Sequence, residues 1–262
     1  MRFENKHVIV TGGGRGIGEA IGRGFAAEGA DVLLMARTEA EVAAVARSIR
    51  DSGGSARHEL GDVSKSADVD RVVSGAEERW GGRIDVLVNN AGIDHDCAFL
   101  DFPEEEWRRV IDVNLTGPFI CGQRVARSMA GTGGGAIVHI ASIDALGADG
   151  NEVAYNAAKA GLRGLNRTMA MELAPHGIRS TIVNPGYVAT PLTRGYVGDE
   201  MFEYMSSRFA RVPQRRMAKP EEIAAAVMFM ASDDAGHITG TELTVDGGTT
   251  ANLYVVETLP SG

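Results

Sequence analysis

Short apolar runs rich in β-branched residues recur along the chain, alternating with longer stretches whose apolar positions return at helical spacing. The runs fall at 7–11, 31–36, 56–60, 84–88, 136–141, 180–183 and 242–245. Between them, helices are predicted over 17–28, 39–52, 67–80, 104–129, 152–174 and 221–231, the last preceded by Pro220, a residue suited to a helix start. Nearly continuous apolar runs, without alternating polar positions, read as strands covered on both faces. Strand and helix in alternation build crossover units and a parallel sheet. The rhythm breaks over 190–219, where glycine, proline, aromatics, methionines and arginines show no clean period; this stretch is expected to be an insertion over the sheet edge. The residues after Gly248 carry no pattern that assigns them. No linker or internal repeat interrupts the chain, so 1–262 is expected to form one domain.

At 262 residues the chain is large enough for a substantial core. Acidic residues outnumber basic ones 35 to 26, for a net charge of −9, which works against nucleic acid or anionic membrane as a partner. Cys97 and Cys121 match no metal-site spacing and form no CxxC pair, and no metal is expected. No run of about 20 apolar residues occurs, so no membrane span is expected. The opening MRFENKHVIV lacks the pattern of a secretory leader, and the expected location is cytoplasmic.

The first strand runs into Thr11, Gly12, Gly13, Gly14, Arg15, Gly16, Ile17 and Gly18, followed by a helical pattern. Glycines allow a sharp turn and close approach to a diphosphate, and the helix behind them offers free N–H groups and a positive dipole end. A glycine cluster alone is no more than a tight turn; placed between first strand and first helix, it points to a dinucleotide. The second strand ends at Ala36 and Arg37, with no carboxylate before Glu39 to accept bonds from an unphosphorylated ribose. Arg37 and Arg15 are placed to clamp a 2′-phosphate. Either arginine alone reads as a solvated surface charge; the two together, without the acid, favour NADP(H) over NAD(H).

Tyr155 and Lys159 stand four positions apart in a helical stretch and share one face. A neighbouring ammonium is expected to lower the phenol's pKa and to make proton exchange with an alcohol or carbonyl oxygen feasible. Taken with TGGGRGIG at 11–18, NNAG at 89–92, YNAAK at 155–159, Asn114, Ser142, Pro185–Gly186 and VDGG at 245–248, the chain resembles the short-chain dehydrogenase/reductase family from end to end.

That resemblance implies a single Rossmann-type, doubly wound α/β domain with a seven-stranded parallel sheet flanked by helices. It implies an enzyme interconverting a secondary alcohol and a ketone or aldehyde. Tyr155 would be general acid and base, Lys159 would tune it and hold the nicotinamide ribose, and Ser142 would bond the substrate oxygen. Asn114 would hold a water in a proton relay. Pro118, four positions on, lacks the N–H that would occupy the carbonyl of residue 114 in a helix, which fits that role. The glycine loop (Gly12, Gly14, Arg15, Gly16, Ile17, Gly18), Ala36 and Arg37 would hold the phosphates and ribose, and Asp62 and Val63 the adenine. Asn89, Ala91 and Gly92 would line the cofactor, with Pro185, Gly186, Val188 and Thr190 on the nicotinamide side.

Expected substrate-wall residues are Asp94, His95, Asp144, Tyr187, Tyr196 and Phe202, with Met201 and Met205 nearby. Asp94, His95 and Asp96 suit either a hydroxyl-rich substrate or plain solvation, and make a poor metal set. The small residues of 152–174 permit close packing, and the family resemblance implies that this helix and 104–129 pair in a homodimer, usually within a homotetramer. Two other readings are an NAD(H)-dependent dehydrogenase of a sugar, polyol, cyclic alcohol or steroid, and a non-catalytic nucleotide-binding or redox-sensing protein. Retention of Ser142, Tyr155, Lys159 and Asn114 together argues against the latter. Reduction of a 3-ketoacyl group on an acyl carrier protein is disfavoured by the acidic charge.

Overall fold

The computed structural model describes residues 1–251. Seven strands lie in one parallel sheet: β1 His7–Thr11, β2 Asp31–Ala36, β3 Ser55–Leu60, β4 Val86–Asn89, β5 Gly135–Ile140, β6 Ile178–Pro185 and β7 Glu242–Val245. Their order is β3-β2-β1-β4-β5-β6-β7, so the winding reverses between β1 and β4. At such a reversal the chain leaves adjacent strand ends in opposite directions and opens a crevice at their C-terminal ends.

Successive residues of each central strand bury themselves in different layers. Val8 and Val10 of β1, Val32 and Leu34 of β2, and Val138 and Ile140 of β5 pack on one face. That face is covered by α1 Gly16–Ala27, α2 Glu39–Asp51 and α9 Pro220–Ala231. Ile9, Leu33, Met35, Leu87 and Ile137 face the other side, against α3 Ser66–Arg79 and α5 Gly117–Thr132. Each such side chain contributes about 1.5–3 kcal/mol when fully buried. This two-sided burial is why the strands read as unbroken apolar runs. The expected sheet is observed; β4 begins two residues later than the 84–88 run, and β6 extends beyond 180–183 at both ends.

The helix expected over 104–129 is instead three pieces: α4 Glu104–Ile111, a π-helical turn at Asp112–Thr116, and α5. Pro118 offers no N–H to the preceding turn and its ring crowds the carbonyl four residues back, so the α-helical register cannot run through this point. Gly117 brings the turn close to the loop after β3: a Cβ there would stand 2.8 Å from Val63 Cγ2. The next long helix, α6 Val153–Leu173, matches its expected span.

The stretch 190–219 also departs from expectation. It holds two short helices, α7 Pro191–Val197 and α8 Asp199–Ser207, joined at Gly198 with φ 79°. Phe202, Met205, Phe209, Val212 and Met217 form a small apolar cluster of their own there. Helices of seven and nine residues are too short to show a period in sequence. Arg216 then grips Glu222 of α9 through two bonds of 2.7 and 2.6 Å, and Glu222 accepts the Lys219 N–H at 2.7 Å, which fixes the insertion to the helix layer. Among the described residues, no helix is long and apolar enough to cross a membrane. The unassigned stretch after Gly248 falls mostly on residues 252–262, outside the described ones.

Candidate active site

A cavity of about 900 Å³ opens at the crevice between the C-terminal ends of β1 and β4 and extends under the insertion. Its first half is built by the glycine loop. Gly12 and Gly16 have φ of +67° and +57°, a region L side chains rarely enter. Space is denied as well: a Cβ on Gly18 would lie 2.2 Å from the Gly12 carbonyl oxygen, and one on Gly12 would lie 2.8 Å from Ala91 Cα. The helix α1 starts with no side-chain cap, which leaves its first amides to face the crevice.

Asn90 holds this loop in place. Its Nδ2 donates to the carbonyls of Thr11 at 2.9 Å and Gly12 at 3.2 Å, while Thr11 Oγ1 accepts the N–H groups of Asn90 and Ala91 at 3.0 and 3.1 Å. The sequence reading chose Asn89 of the NNAG stretch; the structure buries Asn89 away from the cavity wall, bonded to the Pro118 carbonyl and to His139, and puts Asn90 there. At the rim, Arg15 reaches Glu41 at 3.5 Å and Arg37 reaches Asp62 at 3.8 Å, each arginine side chain 56% exposed. Glu41, which approaches this rim from α2, carried no sequence signal.

The second half gathers Ser142, Tyr155 and Lys159 at the wall. Lys159 projects from α6, 4% exposed, and donates to the Ile140 carbonyl at 2.9 Å. Its Nζ lies 5.2 Å from the centre of the Tyr155 ring. Burial drives its pKa down to about 8, against the opposing pull of Asp144 and Asp94. Ser142 donates to Asp144 Oδ2 at 2.7 Å and accepts the Asp144 N–H at 3.2 Å. The expected lowering of the Tyr155 pKa is not what its surroundings produce. Burial raises it, Asp144, Asp94 and Glu152 raise it further, and only the hydrogen bond with Ser142 pulls it down. Burial is the main cause and the acidic neighbours add to it; Asp94 and Asp144 were expected at this wall, Glu152 was not.

Asn114 sits in the π-helical turn, fully buried, its Nδ2 donating to the carbonyls of Ile93 at 2.7 Å and Val110 at 2.9 Å. Its Oδ1 has no hydrogen-bond partner among the described residues. A Cβ on Gly92 would meet that oxygen at 2.8 Å and Lys159 Nζ at 3.6 Å, so both atoms face the same glycine. The free acceptor is thus on the Asn114 side chain.

Around the mouth stand Asp94, Asp144, Asp149 and Glu152. Burial, followed by the mutual repulsion of these acids, pushes Glu152 up to about 8. Burial likewise raises Asp94 and Asp144. Asp149 pairs with Arg211 at 2.7 Å and accepts the Tyr187 hydroxyl at 3.2 Å. Glu152, Asp149 and Arg211 were not singled out from the sequence. Of the expected substrate residues, Asp94, Asp144, Tyr187 and Tyr196 line the cavity. His95 instead lies 3.4 Å from Glu106 and edge-on to Phe102, and Phe202 is buried inside the insertion's own cluster. The remaining expected cofactor residues, from Gly14 and Ile17 to Val63, Pro185, Gly186, Val188 and Thr190, all reach the wall.

The model of the family described as enoyl-(acyl carrier protein) reductase matches residues 12–250. A short-chain reductase protein, NovJ, of Streptomyces niveus is 41% identical over 92% of both chains. The cis-4-hydroxycyclohexanecarboxylate dehydrogenase of Sinomonas cyclohexanicum is 42% identical, covering 95% of this chain and 98% of its own. The structure of a gluconate 5-dehydrogenase from Burkholderia cenocepacia J2315, in complex with NADP and tartrate, superposes with a TM-score of 0.88 at 36% identity over 96% of this chain and 98% of that one.

Proposed function

We propose that this chain, which belongs to the short-chain dehydrogenase/reductase family, is an oxidoreductase that interconverts a secondary alcohol and a ketone or aldehyde with NADP(H), Tyr155 acting as general acid and base. The observation that carries the reading is the meeting of Ser142, Tyr155 and Lys159 at one wall of a cavity whose other half is a glycine cradle. A Cβ at Gly12 or Gly18 would fill that cradle, so the residues present fit a dinucleotide's diphosphate. When bound, the nicotinamide supplies or accepts the hydride.

In reduction, Tyr155 donates its phenolic proton to the carbonyl oxygen. Its raised pKa keeps the phenol protonated at neutral pH, so the acid form is the resting one. Ser142 is close enough to share in that hydrogen bonding, but its proton is engaged by Asp144 until its hydroxyl turns toward the substrate oxygen. Lys159, titrating near pH 8, is the nearest group able to exchange a proton with the tyrosine at working pH. Asn114 Oδ1, which faces Gly92 as Lys159 Nζ does, offers the acceptor for a relay water. Oxidation runs the same steps backwards and gains with rising pH, since the phenol must first give up its proton.

Arg15 and Arg37 at the ribose end support the 2′-phosphate preference. A specific observation favours NAD(H) instead: both arginines already have acids within 4 Å, Glu41 and Asp62. Titration with NADPH and NADH, following nicotinamide fluorescence, separates the two. NADPH binding at least about tenfold tighter, a difference of 1.4 kcal/mol, is expected; equal or reversed affinities would return the arginines to surface charges. Tyr155→Phe is expected to keep cofactor affinity and lose about 10²–10⁴-fold in kcat. Loss of binding along with turnover would remove the tyrosine from its proposed role. The protein is further proposed to be cytoplasmic and to act on a small molecule. It is proposed to assemble as a homodimer or homotetramer through α4, α5 and α6, where Trp107 and Phe119 stand 39% and 47% exposed. A solution mass equal to one chain would sink that assembly.

A further inference from the structure

The substrate half of the cavity is charged unevenly. Asp94, Asp144, Asp149 and Glu152 line it, with Asp96 just behind. Three cationic side chains line it too, and each is engaged. Arg211 is bonded to Asp149 at 2.7 Å, Arg109 to Glu106 at 2.6 Å, and Lys159 to the Ile140 carbonyl at 2.9 Å. The acids differ from one another in the same respect. Asp149 has Arg211, Asp144 has the Ser142 hydroxyl, and Asp94 has the His95 N–H at 2.7 Å. Glu152, half-buried just ahead of α6 and three positions from Tyr155, is acted on by burial and by the neighbouring carboxylates, and forms no ion pair among the described residues.

An anionic substituent entering this space meets like charge in a region poor in water, where screening is weak. A neutral polar substituent finds acceptors but no charge gain. A protonated amine favours the ionised form of Glu152, which burial and the neighbouring acids otherwise disfavour, donates a charge-assisted hydrogen bond to that carboxylate and relieves the repulsion among the acids. Resting on the reading of this cavity as a carbonyl-reducing site, we infer that the enzyme's substrates are amino ketones and amino alcohols, that carboxylate-bearing substrates are disfavoured, and that Glu152 is the residue that selects the ammonium group. Asp94 and Asp144 reinforce that choice through the field they add, and Asp149 is neutralised by Arg211. Carboxylate-bearing substrates of the gluconate or cyclohexanecarboxylate type fit this wall poorly.

The test is a matched series of ring ketones differing in one substituent: 4-(dimethylamino)cyclohexanone, 4-hydroxycyclohexanone and 4-oxocyclohexanecarboxylate. Reduction by the enzyme with NADPH is followed for the wild type, Glu152→Gln and Asp94→Asn, each first shown to unfold at a normal temperature. Wild-type kcat/KM is expected to favour the ammonium over the carboxylate by at least about tenfold, and Glu152→Gln is expected to shrink that ratio severalfold, chiefly through KM. Asp94→Asn is expected to shrink it less. A wild-type ratio near one or favouring the carboxylate, or a ratio that Glu152→Gln leaves in place, would overturn the inference. Calorimetry with cyclohexylammonium and cyclohexanecarboxylate on the NADPH-loaded protein gives a reading independent of turnover. Equal binding or none by both overturns the charge selection even if a neutral ketone is reduced. Preferential ammonium binding without reduction of any ketone would instead uphold it and count against the oxidoreductase reading.

Discussion

His139 lies in β5 with no exposed surface, and its two ring nitrogens have different partners. Asn89 Nδ2 donates to Nδ1 at 3.2 Å, and Ser180 Oγ, which itself donates to Asn166 Oδ1 at 2.8 Å, lies 3.4 Å from Nε2. These contacts suit a neutral imidazole with its proton on Nε2; a second proton would confront the Asn89 amide and the nearby Lys159 ammonium. Burial and that ammonium hold the pKa down at about 4. The unfolded chain takes a proton near pH 6.5, the folded one only near 4, so stability falls as pH drops through that interval, by up to about 3 kcal/mol. Denaturant unfolding at pH 7 and pH 5 should show this loss, and His139→Gln, which cannot titrate, should flatten it. An unchanged pH slope in the variant would place the loss elsewhere. Lys159 carries the same sign in a higher window: its charge costs stability below pH 8, and the cost fades as pH rises toward the ordinary lysine value. At this scale the chain was legible only in part. Helical spacing put Tyr155 and Lys159 on one face, while their roles and that of Ser142 came from the family resemblance. Asp94 and Asp144 were expected at the substrate wall, but Glu152, just ahead of α6, was not, and no local pattern joins it to them.

Elements set these positions through a few covalent constraints. In the turn from β1 to α1, Gly18 has no room for a side chain, with the Gly12 carbonyl 2.2 Å from where its Cβ would sit. Gly18→Ala is therefore expected to open the cradle and weaken cofactor binding by at least about tenfold, while the sheet, whose strands it does not touch, still forms. Far-ultraviolet circular dichroism alongside fluorescence titration would check both halves; unchanged affinity would show that the loop can yield. The π-helical turn before α5 makes a second case. Pro118→Ala restores an N–H to the helix and removes the ring that blocks regular winding. The expected result is a slide toward α-helical register, displacement of the Asn114 side chain, and a fall in kcat with little change in cofactor affinity. Unaltered kcat would mean that the neighbouring packing, such as Gly117 against Val63, is enough to hold the turn. Strands and long helices were foreseeable because both have periods that survive over many residues. The π turn was not, since one proline signals an interruption but not its geometry. The insertion's α7 and α8 were missed because each is under three turns and packs on its own apolar cluster.

For the molecule as a whole, the order β3-β2-β1-β4-β5-β6-β7 places the first strand, β1, inside the sheet beside the central β4. The cavity therefore draws its walls from Gly12 at one end of the sequence to Arg211 near the other. The winding of strands was legible in their alternation with helices, and with it the crevice; the charge of its far half was not, because net charge averages over surfaces that never meet. Cofactor is expected to bind the assembled fold and not the unfolded chain, so NADPH at 100 times its dissociation constant should add about 2.7 kcal/mol to stability. Thermal unfolding with and without NADPH would check it, and an unmoved midpoint would mean that binding does not need the whole sheet. The π-helical turn carries a consequence of a different kind. One extra residue wound into a helix is an insertion that the helix has absorbed in place of a loop. Deleting a single residue between Asp112 and Thr116 should hence be tolerated by the fold more readily than a deletion within α5, since it converts the wide turn to an ordinary one. What it would forfeit is the outward step that presents Asn114, leaving a protein that folds and holds cofactor yet moves protons slowly.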